Sequence, residues 1–167
     1  MHKIGYNINV NKEDKIMWGE NMNNFYQSLS FGRVGEVATI KMLQSRGWLV
    51  EDHANERKAY DLMIQRGSVI FSVEVKRQSA VAKGKICLEL EQVGKRGWFY
   101  NSGIDKMIFT YDDTFVVINM DDLQEAYKKY QPKIIFTNEG KQICFLDYGL
   151  LKQYESYQEI IWHEDWV

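Results

Sequence analysis

The segment from Tyr60 to Lys76 constrains the fold most, because it reads as two alternating strands joined by a turn of fixed chemistry. Side chains of a strand point alternately to its two faces, so Val69, Phe71, Val73 and Val75 share one face and Ser72, Glu74 and Lys76 the other. The run Tyr60-Asp61-Leu62-Met63-Ile64 alternates as well. Between the runs stands Gln65-Arg66-Gly67-Ser68, and a glycine at the first of two central positions suits a type II′ hairpin, which needs positive φ there. With Gly67-Ser68 as the turn, Arg66 faces Val69, Ile64 faces Phe71, Leu62 faces Val73, and Asp61 faces Glu74.

Directly opposed residues of an antiparallel pair hold their Cβ atoms roughly 4.5–5.5 Å apart, and like charges there are destabilising. A divalent cation between the carboxylates reverses that sign, since Mg²⁺ takes oxygen ligands at about 2.0–2.1 Å. Lys76 follows Glu74 on the same face, where an ammonium polarises a water or neutralises charge developing on a phosphorane. The competing reading is a solvated strand face, on which acids and lysines are ordinary. An opposed Asp together with an acid on an upstream helix favours metal-dependent phosphodiester chemistry.

That upstream acid is Glu36. Residues 31–46 carry Val34, Val37, Ala38, Ile40 and Leu43 at helical spacing and are followed by Gly47, suited to the C′ position. Glu36 falls beside the core-facing stripe near the first turn, where the helix dipole also favours a carboxylate. Taken alone, it is explained by that dipole.

The succession Gly32-Arg33-Val34-Gly35-Glu36 opening a helix, Gly47-Trp48-Leu49-Val50 as a first strand, Tyr60-Asp61-Leu62, then Val73-Glu74-Val75-Lys76 resembles the core of the PD-(D/E)xK nuclease superfamily over about residues 30–120. Within it the order and spacing are most like small archaeal Holliday-junction-resolvase-like and phage-encoded endonucleases. Tyr60 stands where the family name has proline. The resemblance implies an α/β fold with a mixed central β-sheet flanked by helices, a restriction-endonuclease-like core. It implies Mg²⁺, with Mn²⁺ as substitute, held by Asp61, Glu74 and the Val75 carbonyl, with Glu36 reaching the metal through water and Lys76 as the catalytic lysine. A DNA substrate, branched or junction forms included, and a homodimer that cuts two strands follow by the same resemblance.

The net charge of −2 argues against avid nonspecific DNA binding. Its distribution is uneven. Lys76, Arg77, Lys83, Lys85, Lys95, Arg96 and Lys106 outnumber Glu89, Glu91 and Asp105 in the stretch following the proposed catalytic strand, while acids dominate after Asp147. A phosphate backbone is drawn to the first and repelled by the second. Candidate DNA contacts are therefore Arg33, Arg77, Gln78, Lys83, Lys85, Lys95 and Arg96, against the alternative of an ordinary solvated loop. Glu89 is a weak candidate for the metal, and Trp98 is open between stacking on a base and filling the core.

At 167 residues with 45% hydrophobic content, the chain is long enough for one core and short for two. One domain over residues 31–167 is expected, preceded by a partly ordered arm at 1–30 that carries a short helix near 22–29. No apolar run reaches a membrane span, and Met1-His2-Lys3-Ile4-Gly5 lacks a signal-peptide core, so a cytoplasmic protein is expected. Cys87 and Cys144 form no C-x-x-C pair and read as small buried hydrophobes. Further on, strands are expected at 86–91, 105–111 and 114–120, a helix to 129 stopped by Pro132, a hairpin about Asn138-Glu139-Gly140, and a short helix at 150–154, with the site at an open sheet edge. The alternative function is a noncatalytic nucleic-acid- or protein-binding module, such as a phage inhibitor or assembly factor, retaining the same fold.

Overall fold

A computed structural model describes residues 19–164. Helix α1 (Gly19–Ser45) lies on a six-stranded mixed sheet made of β1 (Leu49–Asp52), β2 (Leu62–Arg66), β3 (Val69–Arg77), β6 (Lys106–Tyr111), β7 (Thr114–Asn119) and β10 (Gln158–Ile161), in the order β1-β2-β3-β6-β7-β10. β4 (Lys85–Gln92), β5 (Lys95–Arg96), β8 (Ile135–Phe136) and β9 (Lys141–Asp147) form a second, antiparallel sheet in the order β5-β4-β9-β8. Helix α2 (Met120–Tyr130) follows β7. The fold is α/β, as expected, but the second sheet was not foreseen.

Two cores follow from the alternation along β3. Val73 and Val75 join Leu62, Ile64, Ile108, Phe115 and Val117 beneath α1, where Met42 and Leu43 cover them. On the opposite face, Met107, Phe109, Val116 and Ile118 pack with Ile86, Leu88, Leu90, Cys144 and Leu146 of the second sheet and with Leu123 and Ala126 of α2. Cys144 is fully buried and Cys87 half-buried, both as free thiols.

The β2–β3 hairpin has the expected register, with Arg66 opposite Val69, Ile64 opposite Phe71 and Leu62 opposite Val73. Gly67 takes φ of 63° and Ser68 does not take positive φ, as a type II′ turn requires. α1 ends on a Schellman motif, in which the Trp48 N–H reaches the Leu43 carbonyl at 3.1 Å and the Gly47 N–H the Gln44 carbonyl at 3.0 Å. Gly47 sits at φ of 85°.

α1 is continuous from Gly19, so the stretches read as separate helices near 22–29 and 31–46 are one element. Nothing in Ser28-Leu29-Ser30-Phe31-Gly32 breaks it, since no proline interrupts the hydrogen-bond ladder. The rest of the expected arm, residues 1–18, lies outside the described residues. Two other readings shift in form: residues 79–83, read as loop, form a 3-10 turn, and the short helix expected at 150–154 is a 3-10 turn at Tyr148–Gln153.

β3 lies between β2 and β6, so the candidate site is not at a sheet edge as expected. The opening it uses is internal, where β2 parts from β3.

Gly35 sets how closely α1 approaches the sheet. A Cβ there would lie 2.8 Å from the Arg77 Cβ and 3.2 Å from the Thr110 Cγ2. Gly35→Ala therefore lifts the middle of α1 off β3 and moves Glu36 with it. Overpacking of this kind costs about 1–3 kcal/mol, to be read as a lowered midpoint in urea unfolding.

Candidate active site

Asp61 stands where the β2–β3 ladder ends. The last paired residues are Leu62 and Val73, and the Asp61 N–H donates back to the Val73 carbonyl at 3.0 Å instead of pairing with Glu74. The direct Asp61–Glu74 opposition read from the sequence is thus offset, because β2 diverges one residue before it. The divergence leaves the Val75 N–H without a β2 partner, and Asp61 Oδ2 accepts it at 2.9 Å. N–H and C=O of one extended residue project to the same edge, so the Val75 carbonyl points into the same opening.

Glu74 enters from the sheet face that meets the second core. It is 8% exposed, and its Oε1 lies 2.6 Å from Lys76 Nζ. The β3 alternation puts the two side chains together, and Lys76 also lies over the Trp98 ring at 5.7 Å. Trp98 packs on Phe109, while Phe99 is buried in the core. Of the three consecutive aromatics, then, Phe99 fills the interior and Trp98 walls the lysine.

Glu36 comes from α1 on the other face. Its Oε2 accepts from Arg33 Nη1 at 2.9 Å, and the Arg33 Nη2 donates to Asp52 Oδ2 at the end of β1. Asp52, which the sequence reading missed, orients Arg33 and through it Glu36. No local spacing could have revealed it, because the pair spans 19 positions.

Burial pushes the Glu74 carboxyl up, with Lys76 pulling it back and the charges of Asp61 and Glu36 adding to the rise. Burial likewise pushes Glu36 up, opposed by its hydrogen bond from Arg33 and helped by the Asp61 charge. The Arg33 guanidinium holds Asp52 below the usual carboxylate range. The Asp61 charge therefore acts on both Glu36 and Glu74, which come from separate elements. A cation beside Asp61 would relieve both.

The donor set suits a hard divalent cation, being carboxylate oxygens with one backbone carbonyl. Asp61 Oδ1 and Glu74 Oε2 have no hydrogen-bond partner among the described residues. Nor do three His, Cys, Asp or Glu side chains among the described residues gather into a ready coordination shell. Lys76 occupies Glu74 in their place.

The expected DNA-contacting residues divide. Arg33 is committed to Glu36 and Asp52. Arg77 is held over the Phe31 ring at 4.0 Å and faces Tyr111 at 5.5 Å. Gln78 clamps the Cys87 backbone, donating to its carbonyl and accepting from its N–H, each at 2.8 Å. In all three the side chain meets a group brought in by a distant element. Lys83, Lys85, Lys95 and Arg96 are exposed. They do not form one patch, because Lys85 begins β4 and Lys95 pairs with Gln92 at its far end, roughly 24 Å away at a strand's rise. Lys95 and Arg96 precede Trp98, whose ring lies by Lys76, by three and two residues. Glu89 is paired with Lys141 at 3.6 Å in the second sheet.

No protein family's sequence profile matches the chain, and no curated protein does. Among solved structures, a bacterial homing endonuclease aligns over 81% of this chain and 75% of its own, with 15% identity and a TM-score of 0.43. Likeness at that level carries no argument about function. Among the described residues no helix is long and apolar enough to cross a membrane.

Proposed function

We propose that the chain is a divalent-metal-dependent endonuclease of the PD-(D/E)xK type, acting on DNA, branched forms included. The observation that carries this reading is the meeting of Asp61, Glu74 and Lys76 where β2 leaves β3, with Glu36 close enough to raise Glu74 from the far side of the sheet. Asp61, Glu74 and the Val75 carbonyl would hold Mg²⁺, or Mn²⁺ in its place, and Glu36 would accept from a water beside it. The ion, when bound, lowers the pKa of a water and takes the scissile phosphate oxygen. Lys76, released from Glu74, donates to the oxygen on which negative charge grows, and Trp98 keeps its ammonium at the mouth of the site. Arg33, tied to Asp52, holds Glu36 in orientation. Lys95 and Arg96 contact the DNA backbone near Trp98, and Lys83 and Lys85 extend the contact at the other end of β4. The active form is a homodimer, and its compartment is the cytoplasm.

The test is incubation of the protein with linear duplex, single-stranded and four-way-junction DNA in Mg²⁺, Mn²⁺ or EDTA. Cleavage with either metal and none in EDTA is expected. Absence of cleavage of all three DNAs under every condition overturns the reading.

One observation favours a second reading. The close Glu74–Lys76 pair neutralises the carboxylate without a metal, which fits a noncatalytic binder that keeps the architecture. Such a protein binds DNA or a partner protein with no dependence on divalent cations.

A further inference from the structure

Among the described residues, the helix-facing side of the main sheet is not covered along its whole length. α1 stops at Ser45 and the chain turns away through Gly47, so the first residues of β3 and β6 emerge beyond it. A cleft of about 260 Å³ opens there, floored by Trp48, Ile64, Phe71, Ile108, Val117 and Ile160. Its charged lining is Arg46, Arg66 and Lys106, and no carboxylate lines it. Among the described residues, none of the three cations has an acidic side chain within ion-pair distance.

Two of these cations are fixed by aromatic rings of the floor. Arg66 lies 4.3 Å over Trp48 and donates to the Arg46 carbonyl at 3.3 Å. Lys106 Nζ lies 4.4 Å over Phe71 and donates to Asn119 Oδ1 at 2.6 Å. Burial holds Lys106 below the usual lysine range, against the pull of Asp105 and Asp122. Three like charges around one apolar floor repel one another, and an anion set among them removes that repulsion.

We infer that this cleft binds a small amphiphilic acid, with an apolar ring or chain on the floor and a carboxylate or phosphate monoester against Arg46, Arg66 and Lys106. Guanidinium forks recognise both head groups in two-pronged fashion. The apolar floor selects the body, because few polar groups line it beyond Ser156 and Gln158. A nucleic-acid backbone fits poorly, since it needs a long row of phosphate contacts and offers little to an apolar floor. The cleft also lies at the opposite end of β3 from Lys76, roughly 17–23 Å away at a strand's rise, so it stands apart from the nuclease reading.

The test is titration of the ¹⁵N-labelled full chain with 2-naphthoate, 2-naphthalenemethanol and inorganic phosphate, following the amides of Phe71, Lys106 and Ile108. Naphthoate is expected to shift these amides saturably, with the neutral alcohol and bare phosphate each weaker by at least about tenfold, the scale of one hydrogen bond to a charged group. Arg46→Glu, at an exposed position, and Arg66→Gln should each weaken naphthoate to a similar extent while leaving the rest of the spectrum in place. Should Arg66→Gln fail to fold, Arg46→Glu decides alone. Equal binding of acid and alcohol, binding of phosphate as tight as naphthoate, an unaffected Arg46→Glu variant, or no shift at all up to about 10 mM naphthoate overturns the inference.

Discussion

Asp61→Asn leaves the protein folded and removes DNA cleavage. The amide oxygen of Asn still accepts the Val75 N–H that Asp61 Oδ2 holds at 2.9 Å, so the end of the β2–β3 ladder keeps its hydrogen bond. What disappears is the negative charge. A metal contributes several kcal/mol to stabilising a phosphoryl transition state, so losing one carboxylate ligand should lower the cleavage rate by at least about 10³-fold. Asp61→Ala separates the two roles, because it also orphans the Val75 N–H at a cost of about 1–3 kcal/mol in stability. Lys76→Met should lose cleavage as well, by about 10²–10³-fold, while freeing Glu74. Single-turnover cleavage assays beside thermal unfolding check all three variants, and full activity in Asp61→Asn or Lys76→Met ends the assigned roles.

Mg²⁺ raises the melting temperature of the wild-type protein and not that of Asp61→Asn or Glu74→Gln. A ligand that binds only the folded state adds about 2.7 kcal/mol at a hundred times its Kd. For a domain of this size each kcal/mol moves Tm by about 2–4 °C, so a rise on the order of 5–11 °C is expected. The same carboxylates fix the sign of the pH dependence. Glu74 and Glu36 have folded pKa values above the ordinary 4.5, mainly through burial. The folded state therefore binds protons more readily than the unfolded one above pH 4.5, and without metal its stability falls as pH rises through that window. Mg²⁺ requires the ionised carboxylates, so the stabilisation it brings grows with pH instead. Calorimetry at several pH values, with and without Mg²⁺, reads both slopes. A Tm indifferent to Mg²⁺ at neutral pH favours the noncatalytic binder, and a Glu74→Gln variant with the wild-type pH slope removes Glu74 from the account.

Much of the site's frame was legible in the chain. The alternation from Val69 to Lys76, with glycine at the turn, set the β2–β3 register and put Glu74 and Lys76 on one face, because a one-residue slip would turn every apolar side chain outward. The apolar stripe before Gly47 located α1 and its end in the same way. Asp61 was misplaced by one step: a register can be counted outward from a turn, but the residue at which two strands part depends on what packs around them. The intramolecular partners of Arg33, Arg77 and Gln78 have the same origin. Composition marks such side chains as candidate phosphate contacts, and only the folded chain brings Asp52, Phe31 and the Cys87 backbone to them.

The sequence by itself determined the local elements, their faces and the pairing of Glu74 with Lys76, because backbone dihedrals and side-chain periodicity act over a few residues. The tertiary structure alone decided that Arg33 would tie Glu36 to Asp52, that Lys85 and Lys95 would stand at opposite ends of β4, and that α1 would stop short of the Arg46–Arg66–Lys106 cleft. Those outcomes rest on contacts between distant segments, whose energies depend on how whole elements pack and leave no periodic trace in the order of residues.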